Sequence, residues 1–277
     1  KYRGLRWTVV PGHHYTLCDS KGLYEKHPLL EAAVEYMNVP KDLAIRLSIF
    51  SEAPSGCSTG TSAAVSVAMI GCLDCLTPGR LTSYEVARAA HDIETKMLGQ
   101  QCGVQDQIAS AMGGINYIEI FQYPYASVSP IYVPNSIWWE LESRLSLIYV
   151  GRSHSSTEVH EKVIRELDDA GPDAPKLQPL RRTARLSRDA LYAGDFASLG
   201  RAMIENTEAQ ANLHPDLIGP GHQKIIDVAR RDGASGWKVN GAGGSGGSVT
   251  LLSAPDLSRK RAMIKDIEAE DPAFQVI

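Results

Sequence analysis

Between Pro54 and Ala64 the sequence is Pro-Ser-Gly-Cys-Ser-Thr-Gly-Thr-Ser-Ala-Ala, small and hydroxyl-bearing residues that lead into an apolar helical run. A helix N-terminus carries unpaired N–H groups and the positive end of the helix dipole, so it attracts anions. Small residues let the backbone approach phosphate oxygens, and Ser or Thr hydroxyls can add a metal ligand. Gly56, Cys57, Ser58, Thr59, Gly60, Thr61 and Ser62 are therefore candidate phosphate-binding residues. No lysine follows Gly60, so this is not a Walker A loop, and an ordinary capped turn would use similar residues. A second segment, Gly241 to Gly247, formally reads G-x-G-x-x-G. A strand pattern lies on both sides of it, where the dinucleotide motif needs a helix. Something must pack close to that backbone, either a ligand phosphate or a neighbouring helix. Two acids complete the set. Glu94 shares a helix side with Ala87, Ala90 and Met97, so it faces small apolar neighbours. Asp106 follows in the first turn of the next helix, where the dipole stabilises a carboxylate by about 0.3–1 kcal/mol. Taken singly, Asp106 could be a helix-start charge and Glu94 a salt-bridge partner. Two acids at fixed spacing after a phosphate-type loop favour chemistry.

The elements that must position these groups follow from periodicity and caps. His27-Pro28 opens a helix through Leu29, Leu30, Ala33, Val34 and Met37, closed at Asn38. Alternation from Leu43 to Phe50 reads as a strand, and Leu5 to Val10 as another. An apolar helix is expected from Ala63 to about Leu76. The next starts at Thr82, with Glu85 completing a capping box, and ends near Gly99. A short helix holding Asp106 stops at Gly113-Gly114. Ile115 to Phe121, Leu145 to Val150, Trp237 to Asn240 and Ser248 to Leu252 read as strands, and Phe274 to Ile277 as one just beginning. Residues 156–231 are mostly helical, broken near Gly171-Pro172, Gly194 and His214-Pro215. Several prolines and Trp138-Trp139 mark 122–145 as the domain boundary, giving an α+β chain in two halves, 1–140 and 141–277.

Composition excludes several classes. A length of 277 residues with 43% hydrophobic and 22% charged residues fits an ordinary globular protein. A net charge of −4 argues against general nucleic-acid binding, and Arg259-Lys260-Arg261 reads as a solvated face of a C-terminal helix. No apolar run reaches membrane-span length, and no signal peptide is visible. Five scattered cysteines do not form a disulfide framework, and Cys72 and Cys75 read as core packing. A reduced, cytoplasmic protein is expected. Both ends look trimmed.

Three segments together resemble the GHMP kinases. Pro54 to Ala64 is similar to their second motif, P-x-x-x-G-L-G/S-S-S-A, with Ser58-Thr59 in place of the usual Gly-Leu. Lys238-Val239-Asn240-Gly241-Ala242-Gly243-Gly244-Ser245-Gly246 resembles the third, K-x-x-G-A-G-G-G-G. Gly103-Val104-Gln105-Asp106-Gln107 resembles the segment with the catalytic Asp in the sugar-kinase branch, G-I-M-D-Q in galactokinases. With the following Gln107 to Glu119 it also resembles the D-glycero-D-manno-heptose 7-phosphate kinases, which read G-K-Q-D-Q and then A-A-x-G-G-x-N-F-I-E. The likeness runs in order from about His27 to Leu252. The family's first motif, an N-terminal strand pair, has no counterpart, and this is read as truncation or disorder, with true loss left open.

The resemblance implies a ribosomal protein S5-like N-terminal domain and a ferredoxin-like C-terminal domain, with ATP in the cleft. It implies that amides from Gly56 to Ser62 hold phosphates, that Ser62 and Glu94 ligate Mg²⁺, and that Asp106 deprotonates the attacking hydroxyl. Gly241, Gly243, Gly244 and Arg152 would line the substrate side. The expected reaction is phosphorylation of the anomeric hydroxyl of a heptose 7-phosphate, with fucose or galactose as the second choice. A non-catalytic sugar or nucleotide sensor is the alternative from another class. The partners expected are ATP and a sugar or sugar phosphate, with a homo-oligomer left open.

Overall fold

Helix α1 (Pro28–Tyr36) starts on a proline, whose fixed φ and missing N–H suit the first helical position. Its apolar face carries Ala32, Ala33 and Val34 into a core with Met69, Ile70 and Leu73 of α2 (Thr61–Asp74) and with Ala89 and Ala90 of α3 (Ser83–Asp92). The computed structural model describes residues 6–9, 27–40, 43, 45–51, 53, 54, 56–76, 80–152, 163–165, 167, 171 and 174–277. They fall into two compact units, residues 1–52 with 60–128, and 53–59 with 129–277.

In the first unit β1 (Arg6–Val9) pairs antiparallel with β2 (Ile45–Ser48). Strand β2 ends before its alternation does, since Ile49 and Phe50 lie beyond it, while Leu5, Val10 and Ala44 fall outside the described residues. The capping box of α3 is complete. Glu85 N–H donates to Thr82 Oγ1 at 3.3 Å, and Thr82 N–H donates to Glu85 Oε2 at 2.7 Å. The helix does not run on regularly to Gly99; Ile93–Met97 form a π-helical turn. Helix α4 (Gln105–Met112) follows and packs against α2 and α3. A hairpin of β3 (Asn116–Gln122) and β4 (Tyr125–Pro130) closes the unit.

The second unit contains α5 (Asn135–Arg144), β5 (Leu145–Tyr149), α6 (Gln178–Ala193), α7 (Phe196–Leu213), α8 (Pro220–Arg231), β6 (Gly236–Val239), β7 (Ser248–Leu252), α9 (Leu257–Glu270) and β8 (Gln275–Val276). Its four strands form one antiparallel sheet in the order β6-β7-β5-β8. The core joins Ile148, Val249 and Leu251 from the sheet to Ile225 and Val228 of α8 and Met263 and Ile267 of α9. Helix breaks fall where expected: Gly194 ends α6 at φ +64, and His214-Pro215 separates α7 from α8. The helical reading over 156–162, and Pro172 of the expected break at Gly171-Pro172, lie outside the described residues.

The 122–145 stretch, where the change of unit at Val128 to Ser129 falls, holds β4 and α5. One reading needs correction. Cys75 is exposed and Cys72 half-buried, so this pair is not core packing; Cys75 Sγ is satisfied locally by the Gly71 carbonyl at 3.4 Å. Arg259 and Arg261 are solvated as expected, while Lys260 Nζ caps α5 by donating to the Ser143 and Leu145 carbonyls at 2.6 Å each. No helix among the described residues is long and apolar enough to cross a membrane.

Candidate active site

The first unit gathers three of the singled-out groups around α2 and α4. Gly60 caps α2 in the left-handed conformation, φ +69, and its carbonyl accepts the Ala64 N–H at 2.9 Å. A Cβ at Gly60 would stand 2.9 Å from Asp106 Cγ and 3.2 Å from Oδ2. The carboxyl side chain of Asp106 thus lies against the N-terminus of α2. Asp106 itself is exposed, in the first turn of α4. Thr61 and Ser62 belong to the helix, not the loop, because α2 begins two residues earlier than the apolar run suggests. Ser62 is exposed there.

Glu94 sits in the π turn, which is closed by Leu98 N–H donating to the Ile93 carbonyl at 3.1 Å. Such turns recur at functional sites because the extra residue re-aims side chains. Glu94 is only 2% exposed. Its Oε2 accepts from Gln107 Nε2 and, at 3.7 Å, from Cys102 Sγ. Among the described residues it makes no salt bridge, which rules out the salt-bridge alternative there. Burial, helped by the charge of Glu94, pushes the Cys102 thiol up to about 12, so it stays a neutral donor. A buried carboxylate answered only by neutral groups lacks a counter-charge, and a bound cation would provide one. The Glu94 carboxylate and the Ser62 hydroxyl are oxygen donors of the kind a hard divalent ion takes, the first buried and the second exposed.

The other candidates lie in the second unit. Ser248 Oγ donates to the Cys57 carbonyl at 2.5 Å, and Cys57 Sγ and Thr59 Oγ1 are 2.8 Å apart. A Cβ at Gly241 would lie 3.1 Å from Ser58 Cβ, so the Gly56–Thr59 stretch rests against the glycine-rich turn. Ser58 has φ +57, the left-handed region that glycine favours, at the position where the resembled motif has Gly. Ser55 lies outside the described residues. At Gly243 the close neighbour is protein: a Cβ would stand 1.7 Å from the Leu217 carbonyl oxygen, and Gly244 N–H donates to that same oxygen at 3.2 Å. Gly243 and Gly244 are buried, and Gly241 is exposed. Arg152 is exposed; its carbonyl accepts from Gly247 N–H at 3.1 Å, and its neighbours 153–155 lie outside the described residues.

Three supporting groups escaped sequence reasoning. His222, fully buried, accepts from Gly219 N–H at 3.0 Å on Nδ1 and donates from Nε2 to the Gly246 carbonyl at 2.9 Å. It is therefore the neutral Nε2–H tautomer. Lys238 Nζ donates to Gln210 Oε1 at 2.6 Å and to the Val239 carbonyl, while Gln210 Nε2 donates to the Gly241 carbonyl at 2.9 Å. Burial lowers the Lys238 pKa to about 8. Of these Lys238 alone carried a signal, its place at the head of the glycine-rich motif, as Gln107 did by its place directly after Asp106.

The family described as GHMP kinases N terminal domain matches residues 28–114, which include Gly60, Ser62, Glu94 and Asp106. Residues 28–114 carry the GHMP kinase N-terminal domain. Among GHMP kinase relatives, the chain is 27% identical over 235 residues to the D-glycero-alpha-D-manno-heptose 7-phosphate kinase of Campylobacter jejuni, covering 85% of this chain and 68% of that protein. It is 30% identical to the mevalonate kinase of Thermococcus sibiricus, covering 81% of this chain and 65% of the relative. The chain thus spans about two thirds of the length of these GHMP kinases. Its fold matches the crystal structure of a D-glycero-D-manno-heptose 1-phosphate kinase from Bacteroides thetaiotaomicron, with a TM-score of 0.66, 23% identity, and coverage of 99% and 81%. The α+β expectation stands as the GHMP kinase fold.

Proposed function

We propose that this chain is an ATP-dependent sugar kinase that phosphorylates the anomeric hydroxyl of D-glycero-D-manno-heptose 7-phosphate. The observation that supports it most is the Asp106 carboxyl against Gly60, at the N-terminus of α2. A carboxylate in that position supports the reading of a proton acceptor beside backbone groups suited to phosphate. Gly56, Cys57, Ser58, Thr59, Gly60, Thr61 and Ser62 are the proposed nucleotide-phosphate residues, with domains at 1–140 and 141–277. Ser62 and Glu94 would hold Mg²⁺, which neutralises phosphate charge when bound. Asp106 accepts the proton of the sugar hydroxyl as its oxygen bonds to the γ-phosphorus of ATP and the bond to ADP breaks. Gly241, Gly243, Gly244 and Arg152 are proposed for the substrate side, Gly241 being the exposed glycine of the three. The likeness to the Campylobacter jejuni enzyme supports the heptose phosphate. Five scattered cysteines in the sequence support a reducing, cytoplasmic setting.

A second reading, phosphorylation of mevalonate, is favoured by the 30% identity to a mevalonate kinase. One experiment separates the readings. The full-length protein and its Asp106→Asn variant are assayed with ATP, Mg²⁺ and heptose 7-phosphate, galactose, fucose or mevalonate. Turnover of heptose 7-phosphate should dominate, and Asp106→Asn should lower kcat by about 10²–10⁴-fold with little change in KM. Equal rates in the variant would remove Asp106 as the base. Preference for mevalonate or a free sugar would reject the heptose phosphate, and binding of ATP and sugar without turnover would establish a sensor.

A further inference from the structure

We propose that Gln107 is a positioning residue that holds the Glu94 carboxylate in the orientation a divalent cation requires. The proposal rests on Glu94 as a metal ligand. Asp106 and Gln107 are consecutive in the first turn of α4, so their side chains leave the helix about 100° apart. Asp106 points to the exposed side beside Gly60, while Gln107, 2% exposed, turns inward and donates from Nε2 to Glu94 Oε2. The same amide lies 3.7 Å from Cys102 Sγ, the second donor to that oxygen. One helical turn thus sets the proposed base and the proposed metal ligand together.

The chemistry of the partner matters. A lysine or arginine in place of Gln107 would form an ion pair with Glu94 and compete with a cation for its charge. An amide fixes the carboxylate and leaves the charge unspent. The arrangement has a cost: among the described residues Gln107 Oε1 is buried with no hydrogen-bond partner. An unsatisfied buried acceptor is destabilising, which an apolar side chain of similar volume would avoid. Keeping a polar group at that cost points to a use for its N–H.

The test measures Mn²⁺ bound to the ATP complex by the loss of free-ion signal in electron paramagnetic resonance. Metal-free ATP affinity and the melting temperature are recorded beside it. Gln107→Leu should weaken Mn²⁺ binding about 10–100-fold while leaving metal-free ATP binding unchanged. Glu94→Gln should weaken it at least as much, and the double variant should lose no more than Glu94→Gln alone. Wild-type Mn²⁺ affinity in Gln107→Leu, with loss in Glu94→Gln, would overturn the positioning role and leave the metal reading intact. Wild-type affinity in Glu94→Gln would overturn both. Should Gln107→Leu not fold, Gln107→Asn keeps the amide but withdraws its reach, and wild-type affinity in that variant would equally overturn the proposal.

Discussion

Gly60 and Gly243 look alike in the sequence, each a glycine in a run of small residues within a motif of one family, yet they are glycines for different reasons. At Gly60 the atoms that exclude a Cβ belong to the end of a side chain, the Asp106 carboxyl, 2.9 Å away. At Gly243 the excluding atom is the backbone oxygen of Leu217, at 1.7 Å. Both take left-handed φ, +69 and +63. The first glycine makes room for the Asp106 side chain, and the second makes room for backbone. A glycine run is therefore no measure of ligand contact until its neighbours are known.

The largest expected effect tests the second half of that contrast. Gly243→Ala combines left-handed strain of about 1–2 kcal/mol with overpacking of about 1–3 kcal/mol. Unfolding experiments should show a loss of roughly 2–5 kcal/mol. Gly60→Ala carries the same strain, but Asp106 can turn aside, so stability should fall by only about 1–2 kcal/mol. Its kcat should instead drop by about 10²-fold, because a proton acceptor displaced by an ångström loses its geometry. If Gly60→Ala keeps kcat and Gly243→Ala keeps its melting temperature, the comparison collapses.

A pH series sharpens it. Lys238, whose partner Gln210 tethers Gly241, has a folded pKa of about 8 against an ordinary 10.5. Between those values the unfolded chain holds a proton that the folded one has released. Stability contributed by this site should therefore rise from pH 8 to pH 10.5, by at most about 3.4 kcal/mol. Chemical denaturation of the wild type and Lys238→Met should show that rise only in the wild type. Equal slopes would mean that the turn is not held by a desolvated amine. The smallest effect is expected at Ser58, where φ +57 strains a residue with a Cβ. Ser58→Gly should gain about 0.5–1 kcal/mol in thermal unfolding; a loss would show that the hydroxyl outweighs the strain.

Much of the frame was legible because local chemistry decided it. Thr82 and Glu85 announced α3, Pro28 announced α1, and Gly194 closed α6. What escaped depends on neighbours distant in the chain or on backbone bonds that leave no mark in composition. Trp138 and Trp139 are 40% and 64% exposed in α5, so that helix lacks the clean apolar stripe that periodicity detects. Strand β4 is largely exposed and ends on a proline, which reads as a turn. The burial of Glu94 could be inferred from its small neighbours, whereas the amide of Gln107 that holds it could not. Motif spacing suggested that Gly243 approaches something, but nothing in it names Leu217.

The π turn at Ile93–Met97 has a consequence for how the gene can change. It accommodates one residue more than an α-helix of the same rise, since its hydrogen bonds run from i to i+5. Deleting a single codon there would let the helix relax to ordinary α geometry while the segments before and after it keep their relative phase. What such a deletion changes is the aim of the residues inside the turn, Glu94 among them. Lys96, 62% exposed and joined to the buried Asp92 at 2.9 Å, can change its side chain with little effect on that aim. A shortened turn would be felt at Glu94, not in the register of the chain that follows.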